Sequence, residues 1–174
     1  YKNYDNKTLN CGFFGRFLLE KGIEDFKFVK DMAKEHDIEI NFLLGGSIDK
    51  QNSSSIKVDK VFKDLDKIKI FYSPNYADFF DKIDILLFPS YREGHPCFLL
   101  RSMAYGVVPI VYPNPGLSVD ILDEYNGIVA KYNHPKSIFS SLIKLNNNRQ
   151  NLLKISQNAR KYASKKEQRQ SYLD

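Results

Sequence analysis

The stretch Ile83-Asp-Ile-Leu-Leu-Phe88-Pro-Ser-Tyr-Arg-Glu93-Gly-His-Pro-Cys97-Phe-Leu-Leu-Arg101-Ser-Met-Ala-Tyr-Gly106 changes its hydrophobic period midway. The apolar run from Ile83 to Phe88 reads as a buried strand that enters a turn at Pro89. Gly94 and Pro96 break regular structure in the middle. From Phe98 the apolar Phe98, Leu99 and Met103 and the small Ala104 recur at helical spacing until Gly106 stops the helix. The result is strand, polar loop, helix, with one carboxylate, Glu93, in the loop. In an open parallel sheet, ligands bind outside the carboxyl end of a strand, against the positive end of the next helix.

The rest of the chain repeats that grammar. Strands are expected at Leu9–Phe14, Ile38–Leu44 (stopped by Gly45-Gly46), Ile68–Tyr72, Val107–Val111 and Gly127–Ala130. Helices are expected after Glu20-Lys21-Gly22, with Ile23, Phe26, Val29 and Met32 or Ala33 facing the core, and over Ile56–Leu65, Tyr76–Ile83 and Ser118–Leu122. Two more run from Pro135, after a cap at His134 or Asn133, to Leu145, and from about Gln150 to Lys165. Strands alternating with helices at this spacing form right-handed βαβ units and a parallel sheet covered on both faces. The expectation is an α/β, Rossmann-like, six-stranded parallel sheet in the order 3-2-1-4-5-6, with residues 1–174 as one domain.

Composition excludes several classes. The 174 residues are 43% hydrophobic and 27% charged, neither disordered nor fibrous. No apolar run approaches the roughly 18 residues of a membrane span, and Tyr1-Lys-Asn-Tyr-Asp5 does not read as a signal peptide. The start without Met points to a piece of a longer chain. Two cysteines, Cys11 and Cys97, make no disulfide framework, so a reducing, cytoplasmic setting is the simpler expectation. The net charge of +5 is uneven: from Arg149 to Arg169 seven Lys or Arg stand against one acid, Glu167. Such a tail suits a solvated helix face, the simpler reading, or approach to nucleic acid or, peripherally, to anionic lipid.

The polar candidates converge on strand ends. Arg16 and Lys21 bracket the turn after strand one, Tyr72, Ser73 and Asn75 follow strand three, Glu93 to Cys97 follow strand four, and Pro113 to Ser118 follow strand five. Read singly, each Arg or Lys is an ordinary surface charge. Together, two cations, a carboxylate and the free N–H groups of a helix start suit a diphosphate that carries a sugar. Arg grips phosphate as a planar fork, and a carboxylate accepts from neighbouring sugar hydroxyls. Other motifs are set aside. Asp64-Leu-Asp66 falls near the end of an expected helix, away from this edge. His36, His95 and His134 lack metal-ligand spacing, and no G-K-[ST] follows Gly45-Gly-Ser47. The Phe and Tyr residues fall at core periodicity and form no base-stacking platform, so no nucleic-acid partner is expected.

These residues carry a resemblance. Phe14-Gly-Arg-Phe-Leu-Leu-Glu-Lys-Gly22 resembles the G-R-x-x-x-E-K-G segment that opens the C-terminal domain of retaining glycosyltransferases of family 4. Pro89 to Val111 resembles the family's P-S-x-x-E-G-x-P-x-x-x-L-E-A-M-A-x-G-x-P-V-V signature. Pro115 to Leu122 is similar to its G-x-x-E-I-V segment, with Asp120 in place of Glu, and Asn126-Gly127 to its N-G.

The resemblance implies one half of a GT-B fold, the donor-binding half, with the acceptor site (carbohydrate or lipid-linked) on an N-terminal domain absent from this chain. It implies metal-independent transfer of a sugar from a nucleotide diphosphate sugar with retention, in surface polysaccharide or glycolipid synthesis, with little turnover by this half alone. Arg16, Lys21 and Glu93 would be catalytic: the cations on the diphosphate and leaving nucleotide, the carboxylate on the sugar hydroxyls. Gly15, Tyr72, Ser73, Gly94, His95, Pro96, Cys97, Phe98 and Arg101 would bind substrate, with Tyr72 to Asn75 near the base. Arg101 departs from the pattern, because the family's E-x7-E pair places a ribose-binding Glu there. Three arrangements accommodate it: Arg101 contacts ribose or phosphate differently, another residue supplies the carboxylate, or donor binding is lost. The last would leave a non-catalytic partner or structural domain. A nucleotide-sugar 2-epimerase shares the architecture, but the G-R-x-x-x-E-K-G segment argues against it.

Overall fold

The computed structural model describes residues 2–5, 7–56, 61–62, 68–72, 75–94 and 97–170. Six strands form one parallel sheet in the order β3-β2-β1-β4-β5-β6. They are β1 Leu9–Arg16, β2 Ile40–Ser47, β3 Ile68–Tyr72, β4 Ile85–Phe88, β5 Val108–Val111 and β6 Ile128–Val129. The helices are α1 Ile23–Glu35, α2 Tyr76–Lys82, α3 Cys97–Ala104, α4 Pro115–Ser118, α5 Pro135–Asn147 and α6 Arg149–Gln170, with a 3-10 turn at Leu19–Lys21. This is the expected α/β architecture and strand order.

Strand alternation sorts the core into two layers. On one face Phe13, Leu44, Ile85, Leu87 and Ile110 pack against Phe26 of α1 and Ile138 and Leu142 of α5. On the other, Leu43, Leu86, Phe88 and Val111 pack against Phe79 and Phe80 of α2, Leu99 and Met103 of α3, and Ala159 and Ala163 of α6. All four residues of β4 and all four of β5 are buried, as central parallel strands covered on both sides require. Burying one such aliphatic side chain contributes about 1.5–3 kcal/mol.

Several boundaries differ from the sequence expectation, each for a local reason. β1 and β2 run further than their apolar runs, since the ladder continues through Phe14 opposite Gly45, Gly15 opposite Gly46 and Arg16 opposite Ser47. Gly45-Gly46 therefore lies inside β2 and does not stop it; backbone pairing outweighs glycine's weak strand preference. β4 starts at Ile85, while Ile83 follows α2 as an extended, fully buried cap. The helix expected over Ser118–Leu122 is instead α4, Pro115–Ser118. Asn114 caps it, its Oδ1 accepting from the Leu117 N–H at 3.2 Å, and Pro115 takes the first helical position. Ala33, not Met32, completes the buried face of α1. The helix expected over Ile56–Leu65 and the Asp64-Leu-Asp66 motif lie mostly outside the described residues, though Ile56 and Phe62 are buried.

Buried acids pin the periphery. At the amino ends of the strands, Asp84 (1% exposed) accepts from the Lys7 ammonium at 2.7 Å and the Asn10 N–H at 3.0 Å. Asp120, also 1% exposed, is bound by Lys166 and Tyr162 of α6. Lys166 is thereby drawn onto the body, leaving Lys154, Lys161 and Lys165 exposed along α6.

Candidate functional site

The carboxyl ends of β1, β4 and β5 are tied together by hydrogen bonds to backbone carbonyls. β1 passes through the 3-10 turn to Gly22, whose φ of 74° lies in the left-handed region that favours glycine. A Cβ there would also collide with the Pro89 carbonyl oxygen, so the two turns meet at a point without room for a side chain. The Glu20 carbonyl accepts from the Tyr91 N–H at 2.9 Å and from the Ser90 hydroxyl at 3.2 Å. From the β5 side, the Asn114 amide donates to the Ser90 carbonyl at 3.0 Å. The loop after β4 is thus held from both sides before it reaches Glu93.

A further anchor lies behind this loop. Asp25, in the first turn of α1, is 9% exposed and accepts from the Tyr91 hydroxyl at 2.7 Å and the Tyr112 hydroxyl at 2.6 Å. Burial, and then the bonds to Asp25, pushes both phenols well above their ordinary range. They are fixed donors at neutral pH, not bases. Nothing in the periodicity of α1 marks Asp25 as more than an N-terminal acid favoured by the helix dipole.

The outcome is a cation and a carboxylate in contact. The Lys21 ammonium donates to Glu93 Oε1 at 2.7 Å, with side chains 16% and 9% exposed. Both line a cleft of about 390 Å³ together with Gly15, Arg16 and Phe98. Tyr76, at the first position of α2, lines it too, although its helical spacing with Phe79 and Phe80 is that of a core residue. Phe98 is set by its neighbours, with ring centroids 4.9 Å from Phe88 and 5.5 Å from Phe14. Arg16, the last residue of β1, bonds through Nη1 to Asp49 Oδ2 at 3.0 Å. Nothing in the local sequence around Asp49, a stretch rich in Ser, Asn and Asp, marks it as a partner of Arg16. Asp49 lies two residues beyond Ser47, which pairs with Arg16 in the sheet register.

Other expected site residues lie off the cleft lining. Tyr72 is 61% exposed at the end of β3, with its ring 6.3 Å from that of Phe17. Gly94 is exposed, and a Cβ added there would meet nothing within 4 Å. Cys97 is an exposed free thiol at the start of α3. Arg101, one turn further along α3, is exposed and places its guanidinium carbon 5.2 Å from the centroid of the Tyr76 ring, a cation–π contact. It therefore reaches the cleft through Tyr76. Ser73, His95 and Pro96 lie outside the described residues.

Chemically, the cleft offers two cations, each already touching a carboxylate, a half-buried apolar wall, and strand-end backbone. That arrangement suits a ligand with a dianionic portion and hydroxyl groups.

The chain is similar to known proteins in sequence and in fold. The sequence model for "Glycosyl transferases group 1" matches residues 3–162. An uncharacterized glycosyltransferase of Methanocaldococcus jannaschii is 28% identical over 166 residues, which cover 93% of this chain and 45% of that protein. The chain thus spans about half the length of this relative. The C-terminal domain of a group 1 glycosyl transferase (LpcC) from Francisella tularensis superposes with a TM-score of 0.75 at 20% identity, covering 91% of this chain and 85% of that one. Anabaena HepE, solved in complex with UDP, gives a TM-score of 0.81 at 15% identity, covering 91% of this chain and 44% of that one. At these identities the structural likeness establishes the fold, one Rossmann-like half of a GT-B architecture.

Proposed function

The chain belongs to the group 1 glycosyltransferases, and from that premise we propose that it is the donor-binding half of a retaining enzyme using a nucleotide diphosphate sugar. The observation that carries this reading is the Lys21–Glu93 pair, placed beside Arg16 in one strand-end cleft. In this reading Arg16 and Lys21 bind the diphosphate and stabilise charge as the glycosidic C–O bond breaks, the part a metal ion plays elsewhere. Glu93 accepts from sugar hydroxyls, and Phe98 and Tyr76 shape the apolar side. The incoming hydroxyl, presented by an acceptor domain, attacks from the face the diphosphate leaves, and a diphosphate oxygen takes its proton. Arg101 supplies donor hydrogen bonds to ribose or phosphate in place of a carboxylate. Surface polysaccharide or glycolipid assembly at the cytoplasmic side of a membrane fits the exposed lysines of α6, which would rest on anionic lipid.

Calorimetric titration with UDP, GDP and ADP tests the donor site, with UDP the first choice because HepE was solved with it. One nucleotide is expected to bind, and Arg16→Ala to weaken it about tenfold, as loss of a charge-assisted hydrogen bond does. If none binds at millimolar concentration and Arg101→Glu restores binding, the non-catalytic reading replaces this one. The membrane contact is checked separately. Vesicles containing acidic lipid are expected to retain the protein at low salt and release it at high salt, and failure to retain it removes that part of the proposal.

A further inference from the structure

We infer that Asp49 is the positioning residue for Arg16, directing its guanidinium into the cleft; the inference rests on the donor-binding reading. Arg16 lines the cleft and Asp49 does not. Their contact is single: Asp49 Oδ2 accepts from Nη1 at 3.0 Å. Among the described residues no other protein group bonds the guanidinium, so its remaining N–H donors are available to a ligand. A carboxylate that held the whole fork would block it, whereas one that takes a single nitrogen orients it.

Asp49 is itself fixed. Its Oδ1 accepts from the Gln51 N–H at 3.3 Å, and its carbonyl from the Asn52 N–H at 3.2 Å. The loop it opens is fastened to the segment just after Arg16. Phe17 donates to the Ser47 carbonyl at 2.9 Å, Leu19 to that of Ser54 at 3.1 Å, and Ile56 donates to the Phe17 carbonyl at 2.9 Å. Arg16 and its counter-ion therefore sit on two strand ends that cannot slide apart. Arg16 is 53% exposed and otherwise free to turn into solvent. Asp49 takes only one guanidinium nitrogen, so it sets the direction of the fork while the other N–H donors stay available to a phosphate.

Asp49→Asn separates the two effects. Asparagine keeps the Oδ1 acceptor for Gln51, so the turn survives, while the charge facing Arg16 is lost. The parent chain, Asp49→Asn, Arg16→Ala and the double variant are titrated with the tightest binder among UDP, GDP and ADP, with melting temperatures confirming that each is folded. Asp49→Asn is expected to weaken binding about three- to fivefold, the scale of an exposed ion pair, and to have no further effect in the Arg16→Ala background. Equal or tighter binding by Asp49→Asn, beside weakened binding by Arg16→Ala, overturns this inference alone and makes Asp49 a competitor or a bystander. The same loss persisting without Arg16 also overturns it. If Arg16→Ala binds as well as the parent, or no nucleotide binds, the donor-binding reading falls and takes this inference with it.

Discussion

Lys21→Ala is expected to reduce nucleoside diphosphate affinity by roughly 30- to 150-fold, the largest loss from any one charge in the cleft. Two effects act in the same direction. The variant removes a cation that is only 16% exposed, where its attraction for phosphate is weakly screened. It also leaves Glu93, 9% exposed, without the ammonium 2.7 Å away, so an uncompensated carboxylate faces an incoming dianion. Glu93→Gln separates these effects. It removes the repulsion and keeps the lysine, so free UDP, GDP or ADP should bind at least as tightly as to the parent. The corresponding nucleotide sugar should lose affinity, because the acceptor for its hydroxyls is weakened. Calorimetry on the two variants, with nucleotide and nucleotide sugar side by side, reads both signs. Parent-like nucleotide binding by Lys21→Ala would place the diphosphate elsewhere. Equal losses of nucleotide and nucleotide sugar in Glu93→Gln would deny Glu93 its sugar contact.

The sheet was legible because its signals are local and repeated. A buried apolar run followed by a helical stripe occurs along most of the chain, and the rules of βαβ connection leave few strand orders open. Arg16, Lys21 and Glu93 stood out because each falls just beyond such a run. What escaped notice is non-local. Asp49 gains meaning only once β2 lies beside β1, and Asp25 only once Tyr91 and Tyr112 arrive from two later strand ends. Tyr76 looked like core because its spacing with Phe79 and Phe80 is helical; its ring does stack on Phe80, with centroids 6.1 Å apart, while also lining the cleft. The misplaced α4 is different, since Asn114-Pro115 is a local cap signal. Val119 and Leu122, within the helix expected over Ser118–Leu122, prove to be 63% and 51% exposed.

Gly116→Ala should disable the cleft although Gly116 itself does not line it. Gly116 sits in the first turn of α4, behind the Asn114 cap and Pro115. A Cβ at this position would collide with the Gly94 carbonyl oxygen and lie 2.5 Å from that of Glu93. Both obstacles are backbone, so no side-chain rotation relieves them. The loop has little slack, because Ser90 and Tyr91 are bound to Glu20 and the Ser90 carbonyl to Asn114. Either α4 lifts from the sheet edge or the Glu93 segment moves away from Lys21. Overpacking of this kind costs about 3 kcal/mol, which for a chain of this size lowers the melting temperature by about 6–12 °C. Nucleotide binding should fall with it, since the Lys21–Glu93 contact depends on that loop. Gly94→Ala is the matched control: it adds the same methyl on the opposite side of the contact, where nothing lies within 4 Å, and should melt like the parent. If the two variants melt alike, α4 does not brace the loop. If Gly116→Ala loses stability but keeps full nucleotide affinity, the position of Glu93 is set by the Glu20 and Asp25 anchors alone.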